Sequence, residues 1–104
     1  MNKVVNAPPP PYYAVIAPAE LHEDVRGYPE MAAKLVELAR DQPGFLGIEA
    51  GSQHGFALAV SYWSSLEAIQ AWSENARHVV AKEKGKAAWF KKYVTRIAKV
   101  ERVY

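Results

Sequence analysis

The sequence predicts an α+β domain of the ferredoxin-like βαββαβ type, with a four-stranded antiparallel sheet. One observation predicts the class, and two bound the domain that carries it. Hydrophobic periodicity switches between short apolar runs and helical stripes in the order strand, helix, strand, strand, helix, strand. The 104 residues, half of them hydrophobic, suffice for one domain that removes roughly two thirds of its unfolded surface from water. Cysteine is absent, so disulfides, zinc ribbons, iron–sulfur ligation and thiolate catalysis are excluded and the fold must hold without covalent staples.

Residues 1–11 end in four consecutive prolines, which cannot donate ladder hydrogen bonds, and read as an extended, solvated tail. The folded domain is expected over residues 12–104. Tyr12 to Ala17 is apolar on both parities and is expected to stop at Pro18, as a strand buried on two faces. A polar connector from Glu20 to Gly27 follows. Met31, Leu35, Leu38 and Ala39, with Ala32 and Val36 alongside, then mark a helix that has Pro29 in its first turn and Pro43-Gly44 past its end.

Phe45 to Ala50 and Phe56 to Trp63 are the second and third strands, joined by a five-residue hairpin loop from Gly51 to Gly55. In the third strand Phe56, Leu58, Val60 and Tyr62 point one way, and Ala57, Ala59, Ser61 and Trp63 the other. Ser64, with Glu67 three residues on, forms a capping signature that starts the second helix, whose buried stripe is Leu66, Ile69 and Trp72. Ser73-Glu74-Asn75 is expected to bend or break it, and a second helical piece runs to Lys84 before a turn at Gly85. A short helix from Lys86 to Lys92 then precedes the last strand, Tyr93 to Val103. Two helices can shelter only one face of such a sheet. Because the strands are apolar on both faces, a second copy is expected to cover the other, giving a homodimer joined through sheet faces.

The formal charge of +2 is unevenly spread: nine cations from Arg77 to Arg102 meet only Glu83 and Glu101. No exposed aromatic ladder or groove-reading motif accompanies them, so they are expected to form a solvated face and not a nucleic-acid site. No apolar run has the length of a membrane span, and the N-terminus lacks the blocks of a signal peptide, so the expectation is a cytoplasmic protein with no membrane partner.

The candidate site lies between Tyr62 and Tyr93, which hold all three tryptophans and His78. His78 is the candidate for proton handling, because imidazole titrates near neutrality; the competing reading is a helix-surface or capping histidine. Trp72 can stack on an aromatic ligand or donate its indole N–H, or simply fill the core. In one unbroken helix Trp72 and His78 stand about 120° apart, so both can line one pocket only if the helix bends near Asn75. Tyr62 and Trp63 must face opposite sides of the sheet, one toward the helices and a ligand, the other toward the partner copy. Asn75 and Arg77 are candidates for the pocket rim, and Trp89, with Phe90 and Tyr93, for closing its end. His22 and His54 fall in loops, and the three scattered histidines give no metal spacing.

The run Tyr62-Trp63-Ser64-Ser65-Leu66-Glu67-Ala68-Ile69, then Ala71-Trp72, His78, Ala81, Gly85 and Trp89, with Pro43-Gly44-Phe45-Leu46-Gly47 upstream, resembles the antibiotic biosynthesis monooxygenase domain. The resemblance covers the chain from Tyr12 onward. It implies a dimeric α+β barrel with a pocket between sheet and helices in each subunit. It also implies a cofactor-independent monooxygenase for a small aromatic, phenolic or quinol substrate and a pocket at this place, without fixing which residue plays which part; the side chains themselves make His78 and Trp72 the catalytic candidates and Tyr62, Trp63, Asn75, Arg77 and Trp89 the substrate-binding candidates. The alternatives within the resemblance are a haem-binding or haem-degrading protein, or a non-enzymatic dimer that binds a small ligand. Haem-degrading members use an Asn from the first strand. Here that strand offers Tyr12 and Tyr13, and Asn6 lies in the tail.

Overall fold

Two antiparallel ladders meet on the strand that opens the domain. The computed structural model describes residues 3–81 and 89–104. The elements are β1 (Tyr12–Leu21), α1 (Tyr28–Arg40), β2 (Phe45–Gln53), β3 (Phe56–Trp63), α2 (Leu66–Ala81), β4 (Phe90–Tyr93) and β5 (Arg96–Val100). The sheet order is β2-β3-β1-β4, with β5 also paired to β1, and every pairing is antiparallel. Both helices lie on one face, as the α+β class requires.

β1 does not stop at Pro18 but continues to Leu21. Proline is tolerated because its missing donor falls where the neighbouring strand is interrupted. Val94 N–H donates to the Pro18 carbonyl at 3.2 Å, and Pro18 has no N–H to return. The register is the same on both sides of this gap, with Ala19 opposite Tyr93 and Ile16 opposite Arg96. β4 and β5 therefore share the fourth strand position that the sequence assigns to one strand. Phe90, Lys91 and Lys92, expected in a helix, belong to β4, because Phe90 packs on the cluster of Ala19, Leu21 and Ala57 and pairing with β1 overrides local preference. The expected piece from Lys82 to Lys84, the turn at Gly85 and the helix start at Lys86 lie outside the described residues.

The β2–β3 hairpin is tighter than the five-residue loop expected. Gln53 pairs with Phe56, leaving only His54 and Gly55 as the turn, both at positive φ (50° and 78°). That is the left-handed geometry whose twist matches a two-residue hairpin. At the other end of β2 the register slips between Phe45 and Gly47, which leaves Leu46 as an extra residue. The bulge inverts the side-chain parity of β2, so that Gly47, Glu49 and Gly51 share the face of Tyr62, Val60 and Leu58.

α1 begins after Gly27 with Pro29 in its first turn, and buries Met31 and Ala39. The first core cluster is Val15, Ala39, Trp63 and Ile69, with Tyr13, Phe45, Ala68 and Trp72 packed around it. On the opposite face Phe56 and Leu58 remain 48% and 40% exposed.

Candidate functional site

α2 is capped by Ser65 and not Ser64: Ser65 Oγ accepts the Ala68 N–H at 3.1 Å, while the Ser64 N–H is used by the Gly44 carbonyl. The helix then runs unbroken through Ser73-Glu74-Asn75. The polar run is accommodated as an outer face. Ser73 donates to the Gln70 carbonyl at 2.9 Å, Gln70 to Glu74 at 3.3 Å, and Asn75 Nδ2 to Gln42 Oε1 at 3.2 Å.

An unbroken helix separates the two residues expected to meet in one pocket. Ile69 is buried, and His78, nine residues on, stands about 180° round the helix from it and is exposed. Trp72 is half-buried and tilted against Trp63, ring centroids 5.2 Å apart. The expected junction of Trp72 and His78 therefore does not form within the subunit.

Trp63 is 0% exposed. Its indole N–H donates to the buried Ser61 Oγ at 2.9 Å, and its ring takes Phe45 edge-on at 5.3 Å. Trp63 is thus the floor on which Trp72 rests. The Trp72 indole Nε1 is buried and has no acceptor among the described residues. A stranded donor of this kind costs about 1–3 kcal/mol unless an acceptor meets it. It is the one orphaned buried side-chain donor among the described residues, and it sits between α2 and the sheet.

Tyr62 points to the opposite face, beyond reach of Trp72. Its hydroxyl donates to Glu49 Oε1 at 2.6 Å, and Tyr12 meets its ring edge-on at 5.8 Å. Burial, then the bond to Glu49, pushes the Tyr62 phenol up to about 12. The same hydroxyl, followed by the backbone N–H of Val5, holds the Glu49 carboxyl below its usual range. Glu49 and Val5 were not singled out from the sequence. An acid inside the apolar run Phe45 to Ala50 was the available signal.

Asn75 and Arg77 are exposed on α2, the first tied to the loop after α1. Trp89 is buried at the far end of the sheet. Its Nε1 donates to the Arg26 carbonyl at 2.8 Å and its ring lies edge-on to Tyr28, an end-closing role remote from Trp72. Two clefts flank β2, one on the face away from the helices and one that reaches round the edge of β2 to α1. One of about 770 Å³ is lined by Val4, Glu49, Phe56, Leu58 and Val60, and one of about 510 Å³ by Val5, Arg40, Phe45 and Gly47. Among the described residues no three His, Asp or Glu side chains gather to hold a metal, and no helix is long and apolar enough to cross a membrane.

A ferredoxin-like α+β domain with a tryptophan pair between helix and sheet defines the class. The family described as antibiotic biosynthesis monooxygenase matches residues 18–84, and the chain belongs to that family. It is 46% identical over 103 residues to the uncharacterized protein YqjZ of Bacillus subtilis, covering 98% of this chain and 90% of that protein. The fold is shared with SnoaB of Streptomyces nogalater, described as a cofactor-independent oxygenase (TM-score 0.73, 9% identity, 90% of this chain and 97% of that one). It is also shared with PA3566 of Pseudomonas aeruginosa (TM-score 0.69, 15% identity, 91% and 97%).

Proposed function

We propose that the chain is a cofactor-independent monooxygenase acting on a small phenolic or quinol substrate, and that Trp72 receives the substrate's oxygen. The observation that carries this reading is the buried indole N–H of Trp72 left without an acceptor. Family membership and the fold shared with SnoaB support it.

In such a reaction the substrate supplies the electrons. A phenol loses its proton, and the phenolate passes one electron to dioxygen. The two radicals join in a C–O bond, and the resulting hydroperoxide loses water to leave a quinone, so one oxygen atom stays in the product and the other leaves as water. The phenolate and the oxyanions that follow are stabilised by a preorganised donor in a water-poor site; the Trp72 N–H over the Trp63 floor is the donor on offer, and a substrate oxygen reaches it only when α2 parts from the sheet, because neither cleft extends to Trp72. His78 stands outside this site, so the phenol's proton goes to solvent and the peroxide anion formed with the C–O bond takes one back from it to become the hydroperoxide. Haem does not fit: the three histidines are exposed on separate elements, and no imidazole stands where an iron could lie against Trp72. The open face, with Phe56 and Leu58, is the surface proposed for the second copy.

Oxygen uptake with a panel of hydroquinones tests the reaction. Trp72→Phe is expected to lower kcat/KM about 10- to 100-fold, the worth of a hydrogen bond to a charged oxygen, and His78→Ala to leave it within about twofold. Uptake no faster than the uncatalysed rate across the panel would refute the reading. Sedimentation equilibrium reads the dimer separately, and a monomer at micromolar concentration would remove it.

A further inference from the structure

Residues 3–6 belong to no strand, yet they are not a free tail. From the prolines before β1 the segment lies across β2. Val5 is seated by two contacts of different kinds. Its backbone N–H donates to Glu49 Oε2 at 2.9 Å. Its side chain fills the space over Gly47, where a Cβ would lie 2.5 Å from Val5 Cγ1. Any larger residue at position 47 would therefore evict it.

Glu49 faces two ways, one oxygen on Val5 and the other on the Tyr62 hydroxyl at 2.6 Å. One carboxylate thus ties the segment and Tyr62 together. Lys3 and Val4 wall the cleft over Phe56, Leu58 and Val60, and Lys3, Val4, Val5 and Asn6 wall the second cleft beside Arg40. The segment is the partition between the two.

We infer that residues 3–6 form a strap latched over the β2 half of the open sheet face by Glu49, and that its release merges the two clefts into one surface. Among the described residues one charge-assisted bond and one seated valine hold the strap, while the sheet beneath has its own ladders, so the latch opens without unfolding the sheet. The four prolines from Pro8 to Pro11 restrict the released segment and keep it close to its seat. The strap depends on no reaction at Trp72, and its test does not read the oxygenase activity.

Amide hydrogen exchange of the intact chain reads the latch. The Val5 amide is expected to exchange about 10- to 100-fold slower than an unstructured one, and Glu49→Ala to bring it within about twofold of that reference while the β1 and β3 amides keep their protection. A Val5 amide that exchanges freely in the intact chain overturns the strap. A protected one unmoved by Glu49→Ala overturns Glu49 as the latch. Should Glu49→Ala fail to fold, Val5→Pro removes the donor without touching the sheet. It is expected to drop the NMR order parameters of the Val4 and Asn6 amides below about 0.6, the range of a flexible segment, and unchanged values count against the strap.

Discussion

The Trp63–Ser61 bond gives the sharpest test of how the centre of the core is built. Trp63→Phe removes part of a ring that is 0% exposed and strands the Ser61 hydroxyl, itself 5% exposed. Lost burial and the residual cavity cost about 1–2 kcal/mol, and the stranded hydroxyl about 1–3 more. Trp63→Phe is therefore expected to destabilise by roughly 2–5 kcal/mol, and Ser61→Ala, which strands the indole N–H instead, by about 1–3. In the Trp63→Phe background Ser61→Ala removes the stranded hydroxyl itself and should recover about 1–3 kcal/mol. The double-mutant cycle should accordingly return a coupling of at least about 2 kcal/mol. Urea unfolding followed by far-ultraviolet circular dichroism measures it, at one fixed protein concentration because association would shift apparent stability. Additivity within about 0.3 kcal/mol would refute the reasoning, since it would mean that neither group depends on the other.

Two further outcomes follow from the same geometry. One of the six tyrosines should titrate near 12 in the native protein, and Glu49→Gln should move it back toward the ordinary phenol range, read by absorbance at the tyrosinate band. The raised value belongs to the folded state, so the native chain holds a proton that the unfolded chain has released. Tyr62 therefore stabilises the fold fully below the ordinary phenol value, and that contribution is lost as pH rises toward about 12. At the start of α2, Ser65→Ala should cost about 1 kcal/mol and Ser64→Ala less than about 0.5, measured by thermal unfolding; a larger loss at Ser64 than at Ser65 would return the cap to Ser64.

The fold was legible because each element carries a strong local pattern. The parity of β3 places Ala57, Ser61 and Trp63 on the buried side, and the α1 stripe of Met31 and Ala39 is buried as the 3.6-residue period requires. What failed depended on pairing or on distant partners. The bulge at Leu46 exists only in the register with β3, so no reading of β2 alone places Glu49 beside Tyr62. Ser73-Glu74-Asn75 looked like a break because such residues compete with the helical backbone. Here Ser73 bonds back to Gln70 and Asn75 reaches Gln42, which makes the run an outer face. Of the site, Trp72 was legible as a residue between helix and sheet, since it lies close to the direction of Ile69. His78 meets Trp72 only if the helix bends near Asn75, and α2 runs from Leu66 to Ala81 as one helix, which leaves the two about 120° apart. Tyr62 and Trp63 were expected on opposite faces and lie there, the latter toward the helices.

Pro18 has a bearing on how this protein behaves when crowded. An unbroken outermost strand would offer a row of free backbone groups to any stray chain, the usual seed of sheet-to-sheet polymers. Pro18 cuts that border into lengths of four and five residues, and Lys91, Lys92, Arg96 and Lys99 charge it with one sign. An intruding strand meets a gap and a cluster of cations where it would need continuity. A residue that reads in the sequence as a stop for one strand thus acts on its neighbour, as a guard against fibre growth.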